Sequence, residues 1–235
     1  MFNSSKILVL GSDENSIEVM PRKSARAKKI SLKISSNKGV ELIVPKHVSI
    51  ERAIKFLYSK EEWIIEKSHK VMISPKAPMQ IGSIIPIEGK RYTIKHSGNI
   101  RGVTHIEENY IIVSGPEEFA PRKVIEFLKV LAKKEIVARA EVEAMKLGVS
   151  FKSVTVRDTT SRWGSCSAKK ALSFSWRLIM APRHVLEYVV AHEVAHLLEM
   201  NHGKKFWQLV ESIFPDHMAS RRWLKENGSL LHSYQ

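Results

Sequence analysis

The tightest constraint on this chain is five residues long. Residues 192–196 read HEVAH, inside a run, YVVAHEVAHLLEM (residues 188–200), whose apolar spacing is helical. On a helix, side chains four apart stand one above the other on the same face. His192 and His196 can therefore reach one metal ion. Glu193 lies about 100° round the axis, where its carboxylate can lean over the ion's open side without binding it. The same face is otherwise apolar, and two imidazoles buried there without partners would be costly. A metal removes that cost.

A catalytic zinc takes three protein ligands and keeps a fourth position open. His202 is the expected third ligand. A continued helix would point it away from the first two rings, so the chain has to turn first. Asn201 and Gly203, which flank it, are the residues that best tolerate left-handed backbone at a helix end. Glu199 is a rival ligand, three residues after His196, and its alternative reading is a solvated helix end. The chemistry asks for these residue types. Neutral imidazole binds zinc, and zinc brings the pKa of its water toward ~7. A carboxylate then takes that water's proton and passes it to the leaving amine. H-E-x-x-H is the pattern of zinc metalloproteases, with Glu193 as the general base.

His184, Tyr188, His192 and His196 follow one another at steps of four. Tyr188 is placed to donate to an oxyanion, but a tyrosine in such a stripe is more often core packing. His184 belongs to the first turn and is expected to be exposed. His217 follows a proline and an aspartate, and no role is assigned to it.

The rest of the chain divides into two patterns. Up to residue 116 it is mostly strand-like, with KISLKIS and GVELIVP alternating apolar and polar residues. Residues 49–72 have helical spacing, with Ile50, Ile54, Leu57 and Ile64 or Ile65 on one stripe and Ser49 as N-cap. Hairpins are expected around Glu88-Gly89 and near residues 107–109. Gly115-Pro116 is a breaker pair, which suggests a β-rich domain over 1–116 and a second domain over 117–235. The second opens with a long helix carrying Val124, Leu128, Leu131, Ile136 and Val142, closed by Gly148. Short strands follow at SVTVRD and ALSFSWRLIMA, then the HEVAH helix starting at Pro182, then two more helices. The fold class is α+β, without an evident internal repeat.

Composition narrows the partners. Lys and Arg total 38 against 24 Asp and Glu, a formal charge of +14. Such a balance suits nucleotides, nucleic acid or nucleic-acid-bound protein, or an acidic membrane surface, though plain solubility produces it too. The densest basic patch is PRKSARAKKISLK (residues 21–33), which alternates toward its end like a strand with a charged face. No apolar run reaches the length of a membrane span, and KILVLG near the start is too short for a signal peptide. The single cysteine, Cys166, gives no support to secretion. A cytoplasmic protein with no membrane partner is expected.

Three blocks occur in order: RWGSCS (residues 162–167), LSFSWRLIMAP (172–182) and YVVAHEVAHLLEMNHGKKFW (188–207). With them the C-terminal half resembles the YgjP-like metallopeptidase family, which is related to the SprT-like and WLM metallopeptidases. RAKKISLKIS, GVELIVP and EEWIIEK resemble that family's N-terminal region more loosely. The resemblance implies zinc on His192, His196 and His202, Glu193 as general base, and a zincin-like core in which a helix pair packs on a small sheet. It also puts the RWGSCS block close to the site. Arg162 is then suited to a substrate carboxylate or phosphate, or to an oxyanion. Trp163 is a platform or core, and Gly164 permits close backbone approach.

The leading expectation is a zinc-dependent metallopeptidase acting on peptide or protein. One alternative keeps the metal and hydrolyses a nucleoside triphosphate. Another is a nucleic-acid-binding protein whose zinc is structural, with Cys166 as the available fourth ligand.

Overall fold

The computed structural model describes residues 7–11, 16–35, 39–72 and 77–235. It is a mixed α+β fold with three small sheets. The chain packs as two compact units, Met1–Pro75 and Lys76–Gln235. Lys6, the first residue of the KILVLG stretch, lies outside the described residues.

In the first unit, β1 (Leu8–Leu10), β2 (Ile17–Ser24), β3 (Ser31–Ser35) and β4 (Gly39–Pro45) form a sheet of order β1-β2-β4-β3. The outer pairs are antiparallel and the central β2–β4 pair is parallel. Alternation buries Ile17 and Val19 from β2 with Val40, Leu42 and Val44 from β4. Two helices complete the core, α1 (Ile50–Tyr58) and α2 (Glu61–Met72). Ser49 caps α1 by accepting the Arg52 amide at 3.3 Å. The single helix expected over 49–72 is broken at Ser59, whose hydroxyl bonds back to the Phe56 carbonyl at 2.8 Å. Ala53, Leu57 and Ile64 supply the buried stripe, while Ile50 is left 40% exposed. Part of the basic patch is in structural use. The Lys23 ammonium donates to the Val48 carbonyl at 2.6 Å, and Arg22 stands 3.9 Å from Glu41.

The second unit opens on β5 (Ile84–Ile87), β6 (Lys90–His96), β7 (His105–Glu107) and β8 (Tyr110–Val113). Both expected hairpins are present, turning through positive φ at Glu88, Gly89 and Glu108. The order β5-β6-β8-β7, with a parallel central pair between antiparallel outer ones, repeats the topology of the first sheet. No sequence repeat announces this.

Helix α3 (Ala120–Lys146) follows. Ile85, Ile94, Ile111 and Val113 share one core with its Val124, Leu128 and Ile136. The Gly115-Pro116 break is therefore a joint inside the second unit, and packing divides the chain ahead of these hairpins. The buried line of α3 is Ala120, Val124, Leu128, Ala132, Ile136, Ala140 and Ala144. Steps of four drift about 40° each round a helix, so this line winds across the helix. Its small residues let α3 pass from β8 to β9 (Ser153–Arg157) and against the helix of the HEVAH motif. Leu131 is only half-buried and Val142 is 52% exposed, so the expected stripe is corrected at those two positions. Gly148 ends the helix at φ +64, with Val149 donating back to the Ala144 carbonyl at 2.9 Å.

A third sheet, order β10-β11-β9, sets β10 (Gly164–Cys166) at its edge, antiparallel to β11 (Ala171–Ser175). β11 runs into a buried 3-10 turn, Trp176–Met180. Three helices close the unit: α4 (Arg183–Ala195), α5 (Lys204–Ile213) and α6 (His217–Leu231). Pro182 is the cap before α4 and not its first residue. Among the described residues no helix is long and apolar enough to cross a membrane.

Candidate metal centre

Helix α4 is apolar on nearly every side, burying Val185, Leu186, Val189, Val190, Ala191, Val194 and Ala195. That marks a core helix, and makes its polar side chains the informative ones. Glu193 is 6% exposed, His196 8%, and His192 is half-buried. The helix ends at Ala195, but His196 keeps right-handed backbone as its cap. The i, i+4 relationship of the two rings is preserved.

The amides of Leu197, Leu198 and Glu199 then fold back on the carbonyls of Val194 and Ala195. This brings the Glu199 carbonyl to 2.9 Å from His196 Nδ1. A neutral ring donating from Nδ1 leaves the Nε2 lone pair free for a metal. Glu199 thus contributes its backbone, and its carboxylate is not in the group that could hold a metal. The third member is His202, and the donor atoms of His192, His196 and His202 all lie within 4.8 Å of one another.

The route to His202 differs from the expected one. Gly203 is extended, at φ −81 and ψ −173, and caps α5. Neither it nor Asn201 is among the described residues with positive φ. The helix has already ended before Asn201, so the reversal is spread over the intervening residues and needs no left-handed position.

His202 Nε2 lies 3.0 Å from His192 Nε2. Two nitrogens bound tetrahedrally at ~2.0–2.1 Å would stand roughly 3.3 Å apart, so the observed spacing is close to that of a ligand pair. Charge state agrees. Burial above all, then the His196 and His202 rings, with Arg221 and His217 adding, lower the His192 pKa to about 3. Burial also lowers that of His196, against the opposing effect of the Glu199 carbonyl. Both rings are held in the neutral form that a metal requires. The donor set therefore fits a zinc-type ion.

Phe206 of α5, fully buried, forms an apolar floor. Its ring centroid is 4.8 Å from His192, 4.4 Å from His196 and 4.8 Å from His202. Glu193 occupies the β10 side. Burial raises its pKa to about 7, against the Arg162 charge and a backbone hydrogen bond from Cys166. A Cβ built on Gly164 would lie 2.5 Å from both Cγ and Oε1 of Glu193. Only glycine allows the edge strand to come this close to the carboxylate.

The other sequence candidates separate. Arg162 is exposed, and its charge acts on Glu193. Trp163 packs into the core, stacked on His232 at 4.8 Å and set against Gly228 of α6. Tyr188 is buried, its ring 5.9 Å from His192, and burial raises its pKa. His184 is exposed, as expected. Cys166 is half-buried, and burial first, then Glu193, raise its thiol pKa, so it is held as the thiol. Sequence reasoning missed Phe206, Trp207 and Arg221. No local signal marks them: His202 precedes α5, and only the packing of α5 and α6 against α4 brings these side chains to the site.

No curated protein matches the chain. Among solved structures it is similar to the metallopeptidase zymogen of Pyrococcus abyssi abylysin, with TM-score 0.36 and 21% identity, over 39% of this chain and 93% of that one. It is also similar to the zymogen of Methanocaldococcus jannaschii jannalysin, with TM-score 0.35 and 21% identity, over 40% of this chain and 96% of that one. The model of the YgjP-like metallopeptidase domain matches residues 28–227, and the chain belongs to that family.

Proposed function

We propose that this protein is a zinc-dependent peptidase in which His192, His196 and His202 hold the ion and Glu193 is the general base. The carrying observation is the three-histidine group, with donor atoms within 4.8 Å of one another, beside a carboxylate that is 6% exposed. Zinc bound there supplies a Lewis acid that polarises a carbonyl and acidifies water. Glu193 accepts the proton of the attacking water and returns it to the departing amine. Burial keeps its basicity high enough for the first task. Gly164 keeps the backbone of β10 from displacing it. Cys166 orients it through the backbone hydrogen bond. Phe206 excludes water from one side of the ligand rings, which strengthens the electrostatics within. Zinc is favoured by the all-imidazole donor set and three ligands. Among the described residues no fourth ligand joins the group, which supports a catalytic over a structural ion.

The test is metal analysis of the purified full chain, paired with cleavage assays over mixed peptides and nucleoside triphosphates. Glu193→Gln should retain stoichiometric zinc and lose peptide cleavage by a factor of at least ~10². His202→Ala should lower zinc occupancy. Nucleotide hydrolysis lost with Glu193→Gln, without peptide cleavage, would transfer the site to the phosphoanhydride reading. Hydrolysis that survives Glu193→Gln would overturn the assigned role.

A further inference from the structure

Behind the metal ligands the side chains form a column. The Tyr188 ring stacks on His217 at 6.4 Å and 22°, and His217 stacks on Trp207 at 5.5 Å and 24°. The Arg221 guanidinium covers Trp207, 5.0 Å from its ring centroid. Trp207 also touches the site, its centroid 5.8 Å from that of His192 and 6.0 Å from that of His202. His217 and Arg221 stand one turn apart on α6 and grip Trp207 together. The column is anchored at depth, since Tyr188 is 6% and His217 9% exposed, and it ends in an exposed cation.

In a chain of formal charge +14 many arginines lack a carboxylate, and what sets Arg221 apart is that its guanidinium is held on the Trp207 ring beside the site. Arg221 makes no ion pair with another described residue, in contrast to Arg139, Arg177 and Arg183 of the same unit. A second guanidinium, Arg162, is also exposed and without an ion pair among the described residues, and it acts on the Glu193 side. The ligand cluster is thus flanked by two cations whose planar donor edges are unused, one of them held in place by stacking. Stacking leaves those N–H groups free to point at an acceptor.

We propose that Arg221, fixed on Trp207, is a specificity residue that binds a substrate carboxylate next to the scissile bond, so that the site prefers acidic peptides. Because the proposal rests on the peptidase reading, its experiment includes an arm that needs no turnover. A charge-assisted contact of this kind is expected to give a preference of about tenfold. The carboxylate comes either from an Asp or Glu side chain or from a free C-terminus.

The first arm uses zinc-loaded full-length protein and quenched peptides of one sequence. They carry Ala, Asp, Glu or Lys beside the cleaved bond, each with a free or an amidated C-terminus. The kcat/KM ratio of acidic to Ala peptides should be about ten or above, expressed mainly in KM. Arg221→Gln should bring it to about one, Arg221→Lys should retain part, and Arg221→Glu should turn the preference toward Lys. Lys129→Gln, the same charge change at an exposed position on α3, should leave the ratio in place, which separates a built contact from the general +14 field. A preference that follows C-terminal amidation assigns the carboxylate to the chain end, and one that does not assigns it to the side chain. The second arm measures, by calorimetry on zinc-loaded Glu193→Gln, binding of acetyl-Ala-Glu-Ala-amide and its Gln counterpart, with and without Arg221→Gln. An absence of peptide cleavage sinks the peptidase reading and leaves the binding ratio to decide this one. Equal ratios in the unmodified protein, or a ratio that survives Arg221→Gln, overturn the proposal.

Discussion

Glu193 and Gly164 meet across a gap with no room for one more carbon: a Cβ on Gly164 would stand 2.5 Å from the carboxylate's Oε1 and 2.8 Å from its Cδ. The strand is the fixed partner and the Glu193 side chain is the one that must shift. Gly164 is paired with Phe174 across the sheet, and Glu193 is enclosed in the core helix. Gly164→Ala should therefore displace the carboxylate from its working position. Since a displacement of about 1 Å can cost ~10²-fold, kcat is expected to fall by that order while zinc content holds. A variant with full activity would show that the contact positions nothing.

Gly203 is the opposite case. It precedes His202's partner helix, yet its φ of −81 suits any residue, and a Cβ there meets nothing within 4 Å. Serine is a better N-cap than glycine by a few tenths of a kcal/mol. Gly203→Ser should keep zinc and activity and raise the melting temperature by about 1 °C. A loss of metal on this substitution would mean that glycine is needed for the turn after all.

What the sequence disclosed, and what it hid, follows from the range of the interactions. The i, i+4 spacing of His192 and His196 is a local rule, and it led directly to two of the three clustered histidines. The Glu88-Gly89 and Glu108 turns were legible for the same reason, as was Gly148 at the end of α3. Phe206 and Trp207 were in plain view beside the motif, but only the return of α5 brings their rings against the imidazoles. Arg221 is more remote still, because nothing local says that the last helix reaches the site. The winding alanine line of α3 was hidden because small buried residues carry little hydrophobic signal, while Leu131 and Val142 carry more than their exposure warrants. The Gly115-Pro116 pair reads as a boundary on local grounds, although the isoleucines before it and the helix after it fill one core.

Burial gives Glu193 a further, measurable consequence in protein stripped of metal. Its pKa is raised from 4.5 to about 7 on folding, so between those values the folded chain binds more protons than the unfolded one. Stability from this group is fully present below pH 4.5 and is lost as pH rises through about 7. The full loss is on the order of 3 kcal/mol. His192 works the other way. Its folded pKa is lowered from 6.5 to about 3, so its contribution is lost as pH falls from 6.5 toward 3. The two trends oppose each other in the unmodified protein and hide one another in a single pH scan. Glu193→Gln removes one of them. Its denaturation midpoint, measured with chelator present, should draw ahead of the unmodified protein between pH 4.5 and 7 and keep a constant lead above that. A difference independent of pH would mean that Glu193 ionises as an exposed carboxylate does. Bound zinc would add a double positive charge beside the carboxylate and lower its pKa. In loaded protein the same comparison should therefore move to lower pH, and the acid limb of kcat/KM should fall below pH 7.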